Sequence, residues 1–333
     1  MHGVKRPRPG QKDPEDVARA KAAKERARIV DYTILREQLA HYRANKEYTN
    51  DALTITSRVL VINPEYPTGW AFRRRILQRE LFQDKSQDQI QTLLEADLAL
   101  TAKCLLKNPK EYAVWEHRKW VLKSMPDPGW EYELKMVQGL LERDARNYHG
   151  WDYRRYIVAS LRSSTPPPNT KHKRPNTTLK SELAYTTNKI SASFSNYSAW
   201  HYRSKLMEKI LSEVESSEER EKMLDQEFDL VKQALYTDPD DQSAWIYHRW
   251  LTRGADVSII KREVGVIQEL LELEPESKWC LDSLVYYQKL LMSHMQDEQE
   301  RSTLRNACVE HLKKLERVDG LRINRYKRLA NEL

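Results

Sequence analysis

The sequence predicts an all-α protein, an α-solenoid of antiparallel helical hairpins stacked into a superhelical crescent. Three observations predict it. The strong helix formers Ala, Leu, Glu, Lys, Arg and Gln dominate a 333-residue chain that contains only 9 glycines. No stretch alternates apolar and polar residues for long enough to argue for a strand. A segment centred on Trp recurs along the chain at spacings between 34 and 49 residues, the mark of two-helix units joined by loops of variable length.

The elements follow in order. Residues 1–13 include the basic run VKRPRPGQK and read as a flexible N-terminal segment. Residues 14–48 read as a long charged helix leading into the array, and 14–333 as one helical-repeat domain. The repeated segments are NPEYPTGWAFRRRIL at 63–77, NPKEYAVWEHRKWVL at 108–122 and DARNYHGWDYRRYIV at 144–158. SFSNYSAWHYRSKLM at 193–207 and DPDDQSAWIYHRWLT at 238–252 continue the series, and EPESKWCLDSLVYYQKLL at 274–291 is a degenerate sixth. Their anchors are Trp70, Trp115, Trp151, Trp200, Trp245 and Trp279. Each unit opens with an apolar-periodic helix, such as IQTLLEADLALTAKCLLK at 90–107. Asn-Pro or a similar pair stops it, because proline lacks an N–H and bars the preceding residue from the α region. Asp, Ser or Asn then caps the helix that carries the Trp. The Pro-, Thr- and Lys-rich stretch 163–178 reads as a flexible insertion and accounts for the longest spacing.

Trp and Arg three residues apart share one helix face, as in Trp70/Arg73, Trp115/Arg118, Trp151/Arg154 and Trp200/Arg203. The structural reading is that Trp fills the gap between hairpins while Arg bonds a carboxylate or a helix-end carbonyl of the next unit. The functional reading is that some units turn their cations towards an anionic ligand. In the fifth unit the basic pair is His248-Arg249, so Arg is displaced by one position and the face is ambiguous.

Composition narrows the function classes. Against 56 basic residues stand 49 acidic ones in the same segments, so the net charge of +7 reads as solvated helix faces, not a nucleic-acid stripe. The three cysteines, Cys104, Cys280 and Cys308, are far apart, with no CxxC, which argues against a disulfide framework or a zinc site in this chain. There is neither a secretory leader pattern nor an 18-residue apolar run, so a soluble, intracellular, cytoplasmic protein is expected. Two loops carry chemistry: Asn108-Pro109-Lys110-Glu111-Tyr112 and Arg146-Asn147-Tyr148-His149. They belong to adjacent hairpins and should lie side by side, offering a cation and several hydrogen-bond donors suited to a phosphate or diphosphate. Surface loops also carry such residues without a ligand.

The recurring Asn-Pro-x-x-Tyr-x-x-Trp-x-x-Arg unit resembles the repeat of protein prenyltransferase α subunits, over roughly residues 55–291. Met1-His2-Gly3, HGWDYRRY at 149–156 and SFSNYSAWHYRS at 193–204 are most similar to the Rab geranylgeranyltransferase branch, in its compact fungal form. The resemblance implies a heterodimer with a zinc-containing β subunit, no cofactor held by this chain alone, and geranylgeranyl diphosphate as donor. It implies Rab GTPases, presented by Rab escort protein, as acceptors. It also implies that Lys110, Tyr112, Asn147, Tyr148 and His149 stand at the diphosphate and the active-site mouth. His2 would be a built-in inhibitor, able to reach the zinc of the β subunit. The alternatives are the α subunit shared by farnesyltransferase and the type I enzyme, and a tetratricopeptide-like scaffold with no enzymatic partner. A nucleic-acid-binding repeat protein is a third, which the mixed charge disfavours.

Overall fold

The computed structural model describes residues 14–163, 175 and 177–333. The N-terminal segment with His2, and all but the edges of the insertion expected at 163–178, lie outside the described residues. Among the described residues all regular structure is helical. By internal packing the chain forms two units. Among the described residues one holds 14–142 together with 147–163 and 175, the other 143–146 with 177–333.

The first unit begins with α1 (Pro14–Ala44). Its C-terminal half buries Leu35 and Leu39 against α2 (Asn50–Ile62), whereas Val17, Ile29, Val30 and Ile34 remain exposed. Lys46, in the left-handed region with φ 57°, ends the helix sharply. Next come α3 (Pro67–Ile76), which runs on through a π-helical turn at Leu77–Leu81, α4 (Gln87–Lys107) and α5 (Tyr112–Ser124). The unit closes with α6 (Trp130–Arg143) and α7 (Tyr148–Ser163). Helices α2–α3 and α4–α5 form antiparallel hairpins, and the second helices stack, α3 on α5 and α5 on α7.

The second unit repeats the plan with α8 (Leu179–Ala192), α9 (Tyr197–Glu213), α10 (Ser217–Thr237) and α11 (Gln242–Leu251). Helices α12 (Val257–Leu273), α13 (Lys278–His294), α14 (Glu298–Val318) and α15 (Ile323–Asn331) complete it. Here α9, α11 and α13 are the stacked second helices.

Four anchor Trp residues close their hairpins in the same way. The indole N–H of Trp70 donates to the carbonyl of Pro64 (2.9 Å), Trp115 to Pro109 (3.0 Å), Trp200 to Phe194 (2.7 Å) and Trp245 to Pro239 (2.8 Å). That carbonyl lies just past the end of the first helix, where no backbone N–H of the helix can reach it. The ring fills the hairpin core: Trp70, Trp115, Trp151 and Trp200 are all under 2 % exposed. A buried ring of this kind removes about 150–250 Å² from water.

The arginine reading settles on the structural side. Arg118 donates through Nε and Nη2 to both oxygens of Glu133 on α6 (2.7 and 2.6 Å). Its Nη1 donates to the Leu98 carbonyl (2.7 Å) and to Thr101 (2.6 Å) on α4. Arg73 links Asp97 to Leu53, Thr56 and Ser57, and Arg203 links Glu227 to Leu183, Thr186 and Thr187, in the same geometry. Each guanidinium thus ties its own hairpin to the first helix of the next. The carboxylate takes a further donor from its own hairpin: His117 on Asp97 (2.8 Å), Tyr153 on Glu133, Tyr202 on Glu182 (3.2 Å) and Tyr247 on Glu227 (2.5 Å). Burial pushes the Asp97 carboxyl up, but the His117 hydrogen bond and the Arg73 charge together hold it below the usual carboxylate value.

Three local expectations need correction. In the fifth unit His248, not the displaced Arg249, occupies the arginine position; its Nε2 meets Glu263 at 2.9 Å and its Nδ1 meets the Tyr287 hydroxyl at 2.7 Å. Arg249 points away and pairs with Asp282 (3.2 Å). In the sixth unit the anchor position belongs to Leu281, not Trp279. Leu281 is six residues past Pro275, as Trp245 is past Pro239, and it is 0 % exposed while Trp279 is half-buried. The register is set by the reach back to the proline, not by the nearest indole. Finally, polar caps begin α9, α11 and α13 at Asn196, Asp241 and Ser277, but α3 and α5 have no side-chain cap. In α3 a proline at the first position removes one donor that would need a cap.

Candidate active-site loops

The loop between α4 and α5 and the loop between α6 and α7 meet at one carbonyl. Pro109 accepts from the Trp115 indole of its own hairpin and from Nδ2 of Asn147 in the next (3.2 Å). The other end of the Asn147 side chain caps α7: Oδ1 accepts from the amides of His149 (3.0 Å) and Gly150 (3.2 Å). Asn147 is accordingly 2 % exposed. Its amide is committed at both ends, so among the expected site residues Asn147 positions the others instead of facing a ligand.

What it positions is a cluster on the surface. The Tyr112 and His149 rings meet edge to face with centroids 4.2 Å apart, and Tyr148 stands 5.6 Å from His149. Tyr112 and Tyr148 are 64 % and 57 % exposed, which leaves their hydroxyls open to a partner. Lys110 is exposed on the same loop as Tyr112. Burial lowers the His149 imidazole from its ordinary value, with the charges of Lys110 and Lys119 adding to the effect and Asp152 opposing it. The ring is therefore neutral near pH 7 and can donate one N–H. Lys119 is held by Asp152 (2.8 Å) and Glu116 (2.9 Å). Helix α5 begins beside Lys110 with Glu111 at its N-cap, and no side chain accepts from its first amides. A cation, two phenols, a neutral imidazole and a helix N-terminus together make a donor-rich surface for an anion of two or more oxygens.

The two loops were legible in the sequence as neighbours; the buried role of Asn147 was not. The carboxylates of the arginine bridges were also missed, although a signal existed. Asp97, Glu133, Glu182 and Glu227 each stand eighteen residues before Trp115, Trp151, Trp200 and Trp245, and Glu263 stands the same distance before Leu281. Among the described residues no three His, Cys, Asp or Glu side chains come together as a metal site. No described helix is long and apolar enough to cross a membrane.

The loop geometry gives one checkable consequence. Asn147→Ala removes a helix cap and leaves two α7 amides without their acceptor, so a loss of about 1–2 kcal/mol is expected. Urea unfolding of the assembled protein measures it; a midpoint unchanged from the parent would show that the cap is dispensable.

Comparison with known proteins places this geometry. The protein prenyltransferase alpha subunit repeat matches residues 49–80, 94–125, 130–161, 179–210 and 224–254. The geranylgeranyl transferase type-2 subunit alpha of Schizosaccharomyces pombe is 35% identical over 354 residues, covering 100% of this chain and 98% of that one. The chain belongs to the protein prenyltransferase α-subunit family. The Candida albicans type-2 subunit alpha is 32% identical, covering 98% of this chain and 96% of that one. The human subunit of the same name is 38% identical over 259 residues, which span 77% of this chain and 42% of that protein. Among solved structures, a chain of Candida albicans protein geranylgeranyltransferase-I complexed with GGPP shares the fold. Its TM-score is 0.68 at 20% identity, over 90% of each chain. The five matched repeats are the five units that carry a Trp at the anchor position; the sixth, with Leu281, lies beyond them.

Proposed function

We propose that this chain is the α subunit of a cytoplasmic Rab geranylgeranyltransferase. In this reading it pairs with a β subunit, and the heterodimer transfers geranylgeranyl from geranylgeranyl diphosphate to C-terminal cysteines of Rab GTPases presented by an escort protein. The observation that carries the reading is the Lys110–Tyr112–Tyr148–His149 surface, set in a chain that matches type-2 α subunits of two fungi from end to end. The acceptor sulfur forms a bond to C1 of the prenyl chain as the bond from C1 to the diphosphate oxygen breaks. Negative charge grows on the leaving diphosphate. Lys110 offers a fixed positive charge there, Tyr112 and Tyr148 offer hydroxyl donors, and His149 a neutral N–H; charge stabilisation of this kind contributes several kcal/mol in a preorganised site. Zinc held in the β subunit would supply thiol activation, and this chain alone would be inactive. His2 would serve as a ligand to that zinc in the absence of acceptor.

The test is a transfer assay with the purified heterodimer. Escort-bound Rab ending in CC or CXC is expected to accept geranylgeranyl, while CaaX peptides are poor acceptors. Preferential transfer to CaaX substrates would assign the chain to the shared farnesyl and type I enzyme instead. Absence of any β subunit after co-purification would favour a scaffold.

A further inference from the structure

A second row of contacts between hairpins runs outside the buried arginine bridges. Lys119, four residues after the anchor Trp115, donates to Asp152, one residue after the anchor Trp151 of the next hairpin (2.8 Å). The same register pairs Arg249 with Asp282, one residue after Leu281 (3.2 Å), and sets the charge of Glu116 beside Arg74. In the first unit the row is continuous. Lys119 also donates to Glu116 (2.9 Å), and Asp152 also accepts from Arg155 (3.2 Å). Charges of alternating sign thus step from α3 across α5 to α7. The Lys119 side chain is only 17 % exposed. Its ammonium lies 5.8 Å from the centre of the Tyr156 ring, and the Tyr156 hydroxyl donates back to the Lys119 carbonyl (3.3 Å). Three partners and an enclosed stem hold this lysine in one place, unlike an exposed pair in which two long side chains must be ordered for little gain.

This clamp stands directly behind the loop cluster. Asp152 follows His149 by three residues on α7, and Glu116 follows Tyr112 by four on α5, so each lies one turn further along the face that carries the ring. The starts of α5 and α7 are therefore tied twice, first by Asn147 on the Pro109 carbonyl and then, one turn on, by Lys119 on Asp152. The edge-to-face contact of Tyr112 with His149 spans the same two helices. The groups acting on the imidazole are Lys110 from the α4–α5 loop, Tyr112 and Lys119 from α5, and Tyr148 and Asp152 from α7. Asp152 favours the protonated ring and Lys119 opposes it, so the two halves of the clamp act on His149 with opposite sign.

We propose that Asp152 and Lys119 are positioning residues for transfer: their ion pair holds α7 against α5 and balances the charge beside His149, so that the imidazole presents its N–H to the departing diphosphate in one place. This rests on the proposed function. Both residues act through His149 and neither bonds the diphosphate. The test compares Asp152→Asn with Lys119→Met in the purified heterodimer, with isotope-labelled histidine in the α chain and the His149 signal assigned by its loss in His149→Gln. Each variant breaks the same contact, so a clamp that is only structural gives the same result in both. The positioning role gives opposite results. Loss of the carboxylate moves the NMR titration of His149 to lower pH, loss of the ammonium moves it to higher pH, and the double variant returns it towards the parent. Single-turnover transfer to escort-bound Rab is expected to slow about 10-fold in each single variant, because the imidazole is no longer held in register. Lys119→Arg should recover most of that loss, and a melting curve checks the fold of each variant. Titrations that stay at the parental pH, or that move in the same direction, would overturn the inference while leaving the proposed function standing. Parental transfer rates in both single variants would overturn it as well. An unaltered heterodimer that transfers nothing to Rab would end the proposed function, and the inference with it.

Discussion

Arg118→Ala leaves the first unit unable to hold its second and third hairpins together. Arg118 and Glu133 are both 0 % exposed, and the arginine spends Nε and Nη2 on the carboxylate and Nη1 on α4. Truncation strands a buried carboxylate whose remaining donor is the Tyr153 hydroxyl. Breaking a buried pair from one side costs about 3–5 kcal/mol. That is a large part of the roughly 5–15 kcal/mol by which a domain is usually stable. The expected result is a sharp drop in soluble yield and, where the protein survives, a urea midpoint shifted by that amount. Arg118→Met with Glu133→Leu should recover most of the loss, because a buried ion pair replaced on both sides by apolar groups of similar volume is close to neutral. A single variant within about 1 kcal/mol of the parent would show that water reaches Glu133 and that the bridge is not a closed one.

Lys110→Ala is expected to separate chemistry from assembly. Lys110 is exposed and lies outside the buried bridges, so the fold and the subunit affinity should be unchanged. In the proposed mechanism it faces the departing diphosphate. Removing one preorganised charge-stabilising donor slows the chemical step by about 10²- to 10³-fold. Single-turnover transfer, with donor already bound, isolates that step from product release. Lys110→Arg should recover part of the rate, since it keeps the charge but changes the reach. An unaltered single-turnover rate in the alanine variant removes Lys110 from the mechanism, whatever happens to KM.

The contrast between these two basic residues explains how far the sequence could be read. Both stand in the second repeat, eight positions apart. The place of Arg118 followed from helical periodicity: three residues after an anchor Trp, it shares the buried face, and every unit with that spacing obeys the rule. Its partner did not follow, because Glu133 lies on the next hairpin and only stacking brings the two together. Lys110 was legible as an exposed loop cation. Its nearness to His149 depends on Asn147 reaching back to the Pro109 carbonyl, a contact across 38 residues.

By itself the sequence determined the class of fold, the order of the first five Trp-anchored hairpins, the buried face of the helices with Trp and Arg three residues apart and the two chemically unusual loops. These are local properties: turns set by proline, faces set by a 3.6-residue period, and caps set by neighbours one turn away. Only the tertiary structure decided that His248 takes an arginine's place, that Leu281 takes a tryptophan's and that Asn147 is buried under the loops. Each of these depends on which side chains meet across hairpins. That is fixed by the packing of one helix pair on the next, a distance in space for which the chain carries no period.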